Sequence, residues 1–154
     1  MSTINMSRVI LGGLVAGLLI NVSEFVLNVI VLDAQWRETM ASLNRPMLES
    51  VGAIVTFNIA GFIYGIFTVW LYAAIRPRYG AGVQTALCAG SAVWFIGFVM
   101  ALVGPAVMDL FPMRLIAISL VWGLAEMLIA AVAGAKMYRE EEAPAGVATA
   151  AGAR

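Results

Sequence analysis

Apolar residues fall into four long blocks separated by short polar stretches, at about 9–32, 51–75, 83–103 and 115–137. Each block is long enough for a helix to cross a hydrocarbon core, which needs about 20 helical residues. Lipid offers no partner to open backbone groups, so the blocks are expected as helices rather than strands. The predicted fold is an all-α membrane protein, a compact bundle of four antiparallel transmembrane helices over 1–138. A disordered tail is expected over 139–154, where Glu140, Glu141 and Glu142 precede alanine, glycine, proline and threonine.

The connections are read from their breakers. Between blocks one and two, Trp36, Met40 and Leu43 fall at i, i+4 and i+7, which predicts a short amphipathic helix in the interface. It would be capped by Asp33 and would end near Asn44-Arg45-Pro46. A lid over an outward cavity is its functional alternative. Arg76-Pro77 with Gly80 and Gly82 predicts a tight turn after helix two, and Gly104-Pro105 opens a second one. Trp70, Tyr72 and Tyr79 suit an aromatic belt.

The polar positions inside the blocks are regularly spaced. In block one Gly13, Gly17, Asn21, Glu24 and Asn28 lie along one side of a helix, and in block two Asn58, Gly61, Gly65, Thr68 and Tyr72 do the same. Block three offers Ala86, Gly90, Trp94, Gly97, Ala101 and Gly104, and block four Ser119, Gly123, Glu126, Ala130 and Ala133. Small residues at four-residue spacing let backbones approach closely. Gly13, Gly17, Gly61, Gly65, Gly90, Gly97 and Gly123 are therefore read as helix-packing positions, with self-association into a homo-oligomer as a further use.

Composition sharpens the picture. The chain is 62% hydrophobic and 12% charged, against about 45–50% and 25% in soluble domains. The lipid bilayer is thus its first partner. Formal net charge is zero and no basic patch is present, which argues against nucleic acid. The absence of histidine removes histidine-ligated haem, most zinc sites and a histidine base. No metal and no cofactor is expected. Cys88 lies in an apolar block and is read as a buried packing residue. The first apolar run is too long for a cleavable signal, so helix one is expected to remain. Arg8, Arg76, Arg78, Lys136 and Arg139 on one side against Arg37, Arg45 and Arg114 on the other place both termini in the cytoplasm.

Glu24 and Glu126 are the candidate chemistry. An ionisable residue at mid-bilayer costs about 2.5–3.5 kcal/mol on insertion scales and is a functional hypothesis by default. No lysine or arginine lies in the interior of any block. Both carboxyls are therefore expected as neutral, hydrogen-bonded acids. Depth counting predicts an outer layer of Glu24, Asn21 and Asn58 over a midplane layer of Glu126, Tyr64 and Trp94, with Asn28 on the same stripe as Glu24.

The block Trp70-Leu71-Tyr72-Ala73-Ala74-Ile75-Arg76-Pro77-Arg78-Tyr79-Gly80, with Glu24 in helix one, resembles small uncharacterised bacterial four-helix inner-membrane proteins, a resemblance that implies no activity. Four helices with a glutamate inside the first are also similar to small multidrug-resistance transporters, whose glutamate exchanges protons for cationic drugs. This chain is longer and carries a second glutamate in helix four. The residues name no substrate, and no nucleophile–base pair or phosphate loop points to an enzyme. A structural or accessory role with a buried polar network is the first expectation. A small proton-coupled transporter using Glu24 and Glu126 is the alternative.

Overall fold

A computed structural model describes residues 4–139 and is helical throughout, without strands among the described residues. The first span runs as α1 (Met6–Phe25) and continues as a π-helical segment, Val26–Val31. The short helix α2 covers Asp33–Ser42, and α3 covers Val51–Tyr79. The third span is α4 (Val83–Trp94), a second π-helical segment (Phe95–Met100) and α5 (Ala101–Val107). The last is α6, Met113–Met137. Four helices are thus long and apolar enough to cross a membrane, at Met6–Val31, Val51–Tyr79, Val83–Val107 and Met113–Met137. The chain is a multi-pass membrane protein. The tail expected from 140 onward lies outside the described residues.

Two proline signals stop the chain later than expected. α3 runs through Pro77 and ends only at Gly80, whose φ of 85° is open to glycine and whose N–H bonds the Arg76 carbonyl at 2.8 Å. The third span runs past Gly104-Pro105 to Val107, and its turn falls at Asp109, φ 53°. Proline removes a single N–H, which bends or weakens a helix in lipid more readily than it unwinds it. Asp33 is not a cap either. It is the first residue of α2 and pairs with Arg37 at 2.9 Å, one turn on. Arg37 also reaches Glu49 at 2.8 Å, and these two carboxylates hold its guanidinium above its ordinary pKa.

Glycine sets how closely the helices approach. A side chain at Gly13 would strike the Ile66 backbone, and one at Gly17 would come within 2.7 Å of the Phe62 Cα. Gly65 lies against the backbones of Gly13 and Gly17 in turn, and Gly61 against the Asn21 amide. Gly90 faces the Met127 carbonyl, Gly97 the Tyr64 ring and Gly123 the Phe98 ring. Gly12 and Gly134, absent from the predicted seams, meet backbone to backbone. All these contacts are between helices of one chain.

Burial is uneven along the spans. At one end Asn5 N–H, the Tyr72 ring, Gly82 and Tyr138 come together, with Tyr72 edge-on to Tyr138 and the Arg76 guanidinium 5.6 Å from the Tyr138 ring centre. Tyr72 is buried there rather than lying in the aromatic belt; its hydroxyl accepts the Gly82 N–H at 3.3 Å. Towards the other end, no residue of α3 before Gly61 is buried, and none of the third span after Val93.

Cys88 is exposed, not buried. Its neighbours Ala86, Ala89 and Gly90 hold the packed face of α4, which turns Cys88 outward to lipid. N-ethylmaleimide is therefore expected to label Cys88 in detergent, while a membrane-impermeant maleimide leaves it unmodified in sealed vesicles. Equal labelling by both reagents would place Cys88 in water.

Candidate functional site

Glu126 lies on the buried stripe of α6 formed by Gly123, Glu126, Met127, Ala130, Ala131 and Gly134. Counting along α6, it is about 20 Å from one end and about 17 Å from the other. A glutamate cannot reach water from that depth, and its residue is 5% exposed. Neither carboxyl oxygen has a hydrogen-bond partner among the described residues. Ser23 and Glu24 of α1 lie beside it; Ser23 approaches without completing a bond. Glu24 is hydrogen-bonded as expected, whereas at Glu126 the one neighbouring donor, the Ser23 hydroxyl, stands beside the carboxyl outside bonding geometry.

The side chains around the two carboxyls form two chains of donors. The Trp122 indole N–H donates to the Ser23 hydroxyl at 2.8 Å. An indole nitrogen is a donor only, so Ser23 must accept, and its own O–H remains free to point towards Glu126. In the second chain the Trp36 indole of α2 donates to Asn28 Oδ1 at 2.8 Å, and Asn28 Nδ2 donates to Glu24 Oε2. Asn28 Nδ2 also reaches the Glu24 carbonyl at 3.0 Å. A side chain that occupies the carbonyl four residues back competes with the α-helical bond. The π-helical segment starts in that turn, with Leu32 N–H bonded to Leu27 O at 2.8 Å. Such bulges recur at functional sites.

The predicted layers are rearranged. Asn21 donates to the Asn58 carbonyl at 3.1 Å, but the Asn58 side chain turns back to Ile54 O at 2.8 Å and does not reach Glu24. Tyr64 donates to the Gly97 carbonyl at 3.4 Å and Trp94 to the Leu120 carbonyl at 3.0 Å. Each takes a backbone acceptor on a neighbouring span, so neither joins Glu126. The midplane partners of Glu126 are instead Ser23 and Glu24, two residues of the first span.

Three members were missed in the sequence. Ser23 is adjacent to Glu24, and Trp122 is four residues before Glu126, hence on the same helical face; that spacing was the available signal. Trp36 counts in the sequence only as an apolar position of the interfacial helix; its ring packs edge-on against Phe111 at 5.4 Å and its N–H turns to Asn28. Among the described residues no three cysteine, aspartate or glutamate side chains converge as a metal set. The site brings two carboxyls, which can each hold one proton, beside a serine hydroxyl and an asparagine amide. No protein-family model, curated protein or solved structure matches the chain.

Proposed function

We propose that this chain is a small proton-coupled carrier whose working site is the carboxyl pair Glu24 and Glu126. In this reading the four spans form a compact antiparallel bundle in a bacterial inner membrane with both termini cytoplasmic, in keeping with the charge bias of the loops. The observation that carries the reading is the buried, unpartnered Glu126 carboxyl. Hydrogen bonds that fix helix register in membranes average about 0.6 kcal/mol. A buried polar group left unsatisfied costs about 1–3 kcal/mol. A register device that leaves its own acid unpaired therefore loses more than it contributes. A group that must take up and release a proton has a reason to be left open.

The glycine contacts favour a second reading, an accessory protein whose seams serve packing alone. Infrared titration of the carboxyl stretch in liposomes separates the two, read together with proton flux from proteoliposomes. The carrier reading expects a protonated-carboxyl band that responds to bulk pH and is lost in part in Glu24→Gln and in Glu126→Gln, with flux abolished in both. A band indifferent to pH, with flux unchanged in both variants, would leave the accessory reading standing.

A further inference from the structure

About 15 Å along α6 from Glu126, at the far end of the helix, α4 and α6 enclose a groove. Two cavities adjoin there, of about 140 Å³ and 360 Å³, with Val132 and Lys136 in the wall of both. The smaller lies at the helix ends, between Tyr72, Gly82 and Lys136. The larger continues from Lys136 back along α6, with Leu87 of α4 on one side and Leu128 and Ile129 on the other. Leu128 precedes Lys136 by just over two helical turns, so the groove runs about 12 Å from the helix ends into the span.

The two polar side chains at its mouth have protons to donate. Lysine carries three N–H donors and no acceptor. Lys136 stands exposed in the last turn of α6, and no ion pair among the described residues involves it. The Tyr72 hydroxyl is buried and accepts the Gly82 N–H at 3.3 Å, which leaves its own proton without an acceptor among the described residues. The described acids lie elsewhere. Glu24 and Glu126 are inside the spans, and Asp33, Glu38, Glu49 and Asp109 belong to the connections at the opposite ends. Arg78 and Arg139 add positive charge at the Lys136 end. Such a mouth suits an anion with several acceptor oxygens, and the groove behind it suits an apolar chain.

We propose that the groove binds one anionic phospholipid, its phosphate held by Lys136 and the Tyr72 hydroxyl and one acyl chain lying between Leu87 and Leu128. Lipid tails are as apolar as leucine, so an acyl chain gains little by leaving the bilayer for the groove. The headgroup therefore decides which lipid stays. A charge-assisted hydrogen bond from an ammonium to a phosphate is roughly twice as strong as a neutral one. Basic pockets between membrane helices hold anionic headgroups in this way. A zwitterionic headgroup brings its own cation against Lys136, Arg78 and Arg139 and loses part of that gain. The site is independent of the proton-exchange reading, and neither stands or falls with the other.

The test is native mass spectrometry of the full chain, released from micelles that hold equal amounts of a phosphatidylglycerol and a phosphatidylcholine with identical acyl chains. A single bound phosphatidylglycerol is expected, retained about tenfold over phosphatidylcholine. Lys136→Gln should abolish that preference and Lys136→Arg should keep it; the side chain is exposed, so both variants fold. Tyr72→Phe keeps the ring and should weaken the anionic lipid alone. Ala133→Phe fills the groove and should lower the binding of both lipids. Equal retention of the two lipids, or a preference unchanged in Lys136→Gln, would reduce the groove to ordinary lipid-facing surface and overturn the site. Displacement of the lipid by inorganic phosphate alone would overturn it in favour of a free anion. A preference seen only after Glu140→Gln, Glu141→Gln and Glu142→Gln would assign Lys136 to the chain's own acidic run, and the proposal would fall.

Discussion

Leucine at Gly65 is expected to unfold the membrane domain. The position faces the backbones of Gly13 and Gly17 with no flexible side chain between them, so the added atoms can be accommodated only by moving α1 away from α3. Overpacking a well-packed core costs about 1–3 kcal/mol where side chains can adjust. Here backbone must give, and a loss of more than about 3 kcal/mol is expected. The control is Gly52→Ala, a glycine in α3 with nothing within 4 Å. It should be neutral or stabilising by up to about 1 kcal/mol, because alanine restricts the unfolded chain. Mixed-micelle unfolding curves followed by tryptophan fluorescence measure both. A Gly65→Leu protein with the wild-type midpoint would mean that the first two spans meet along some other line.

Methionine at Glu126 is expected to act in the opposite direction. The side chain fits a slot between Gly123 and Met127 on a buried stripe, and methionine fills nearly the same volume without polar atoms. Removing a buried, unpartnered acid relieves a penalty of about 1–3 kcal/mol, so the variant should unfold later than wild type while losing proton flux. Gain of stability with loss of activity is the mark of a site kept open for function. A Glu126→Met protein that is less stable than wild type would show that the carboxyl has partners that hold the fold together.

The four spans were legible because lipid imposes a length and a composition that single residues cannot disguise. Their ends were less so. Pro77 and Pro105 read as stops, but a membrane helix tolerates proline when nothing else offers the backbone its bonds. The other glycine positions are readable from spacing, whereas Gly12 stands one residue off the Gly13–Gly17 line and Gly134, four residues after Ala130, is passed over when the stripe is continued through Ala133. The two glutamates stood out as charges in apolar runs. Their surroundings did not, because depth counting fixes height in the membrane and leaves the angle around each helix open. The π-helical turn after Phe25 shifts that angle further, and no residue pattern announces it. Hence Tyr64 and Trp94 were placed with Glu126 by height, while the chain brings Ser23 to it and sends both aromatic donors to backbone carbonyls.

The uneven burial of the spans gives the protein a mechanical character. The glycine contacts and the tyrosine cluster act as a fulcrum, and the unburied stretch of α3 from Val51 to Ala60 acts as a lever arm. That arm is about 14 Å long, so a tilt of roughly 10° at the fulcrum displaces its tip by roughly 2–3 Å. Asn21 ties the arm to α1 through the Asn58 carbonyl at 3.1 Å, close to the fulcrum where displacement is least.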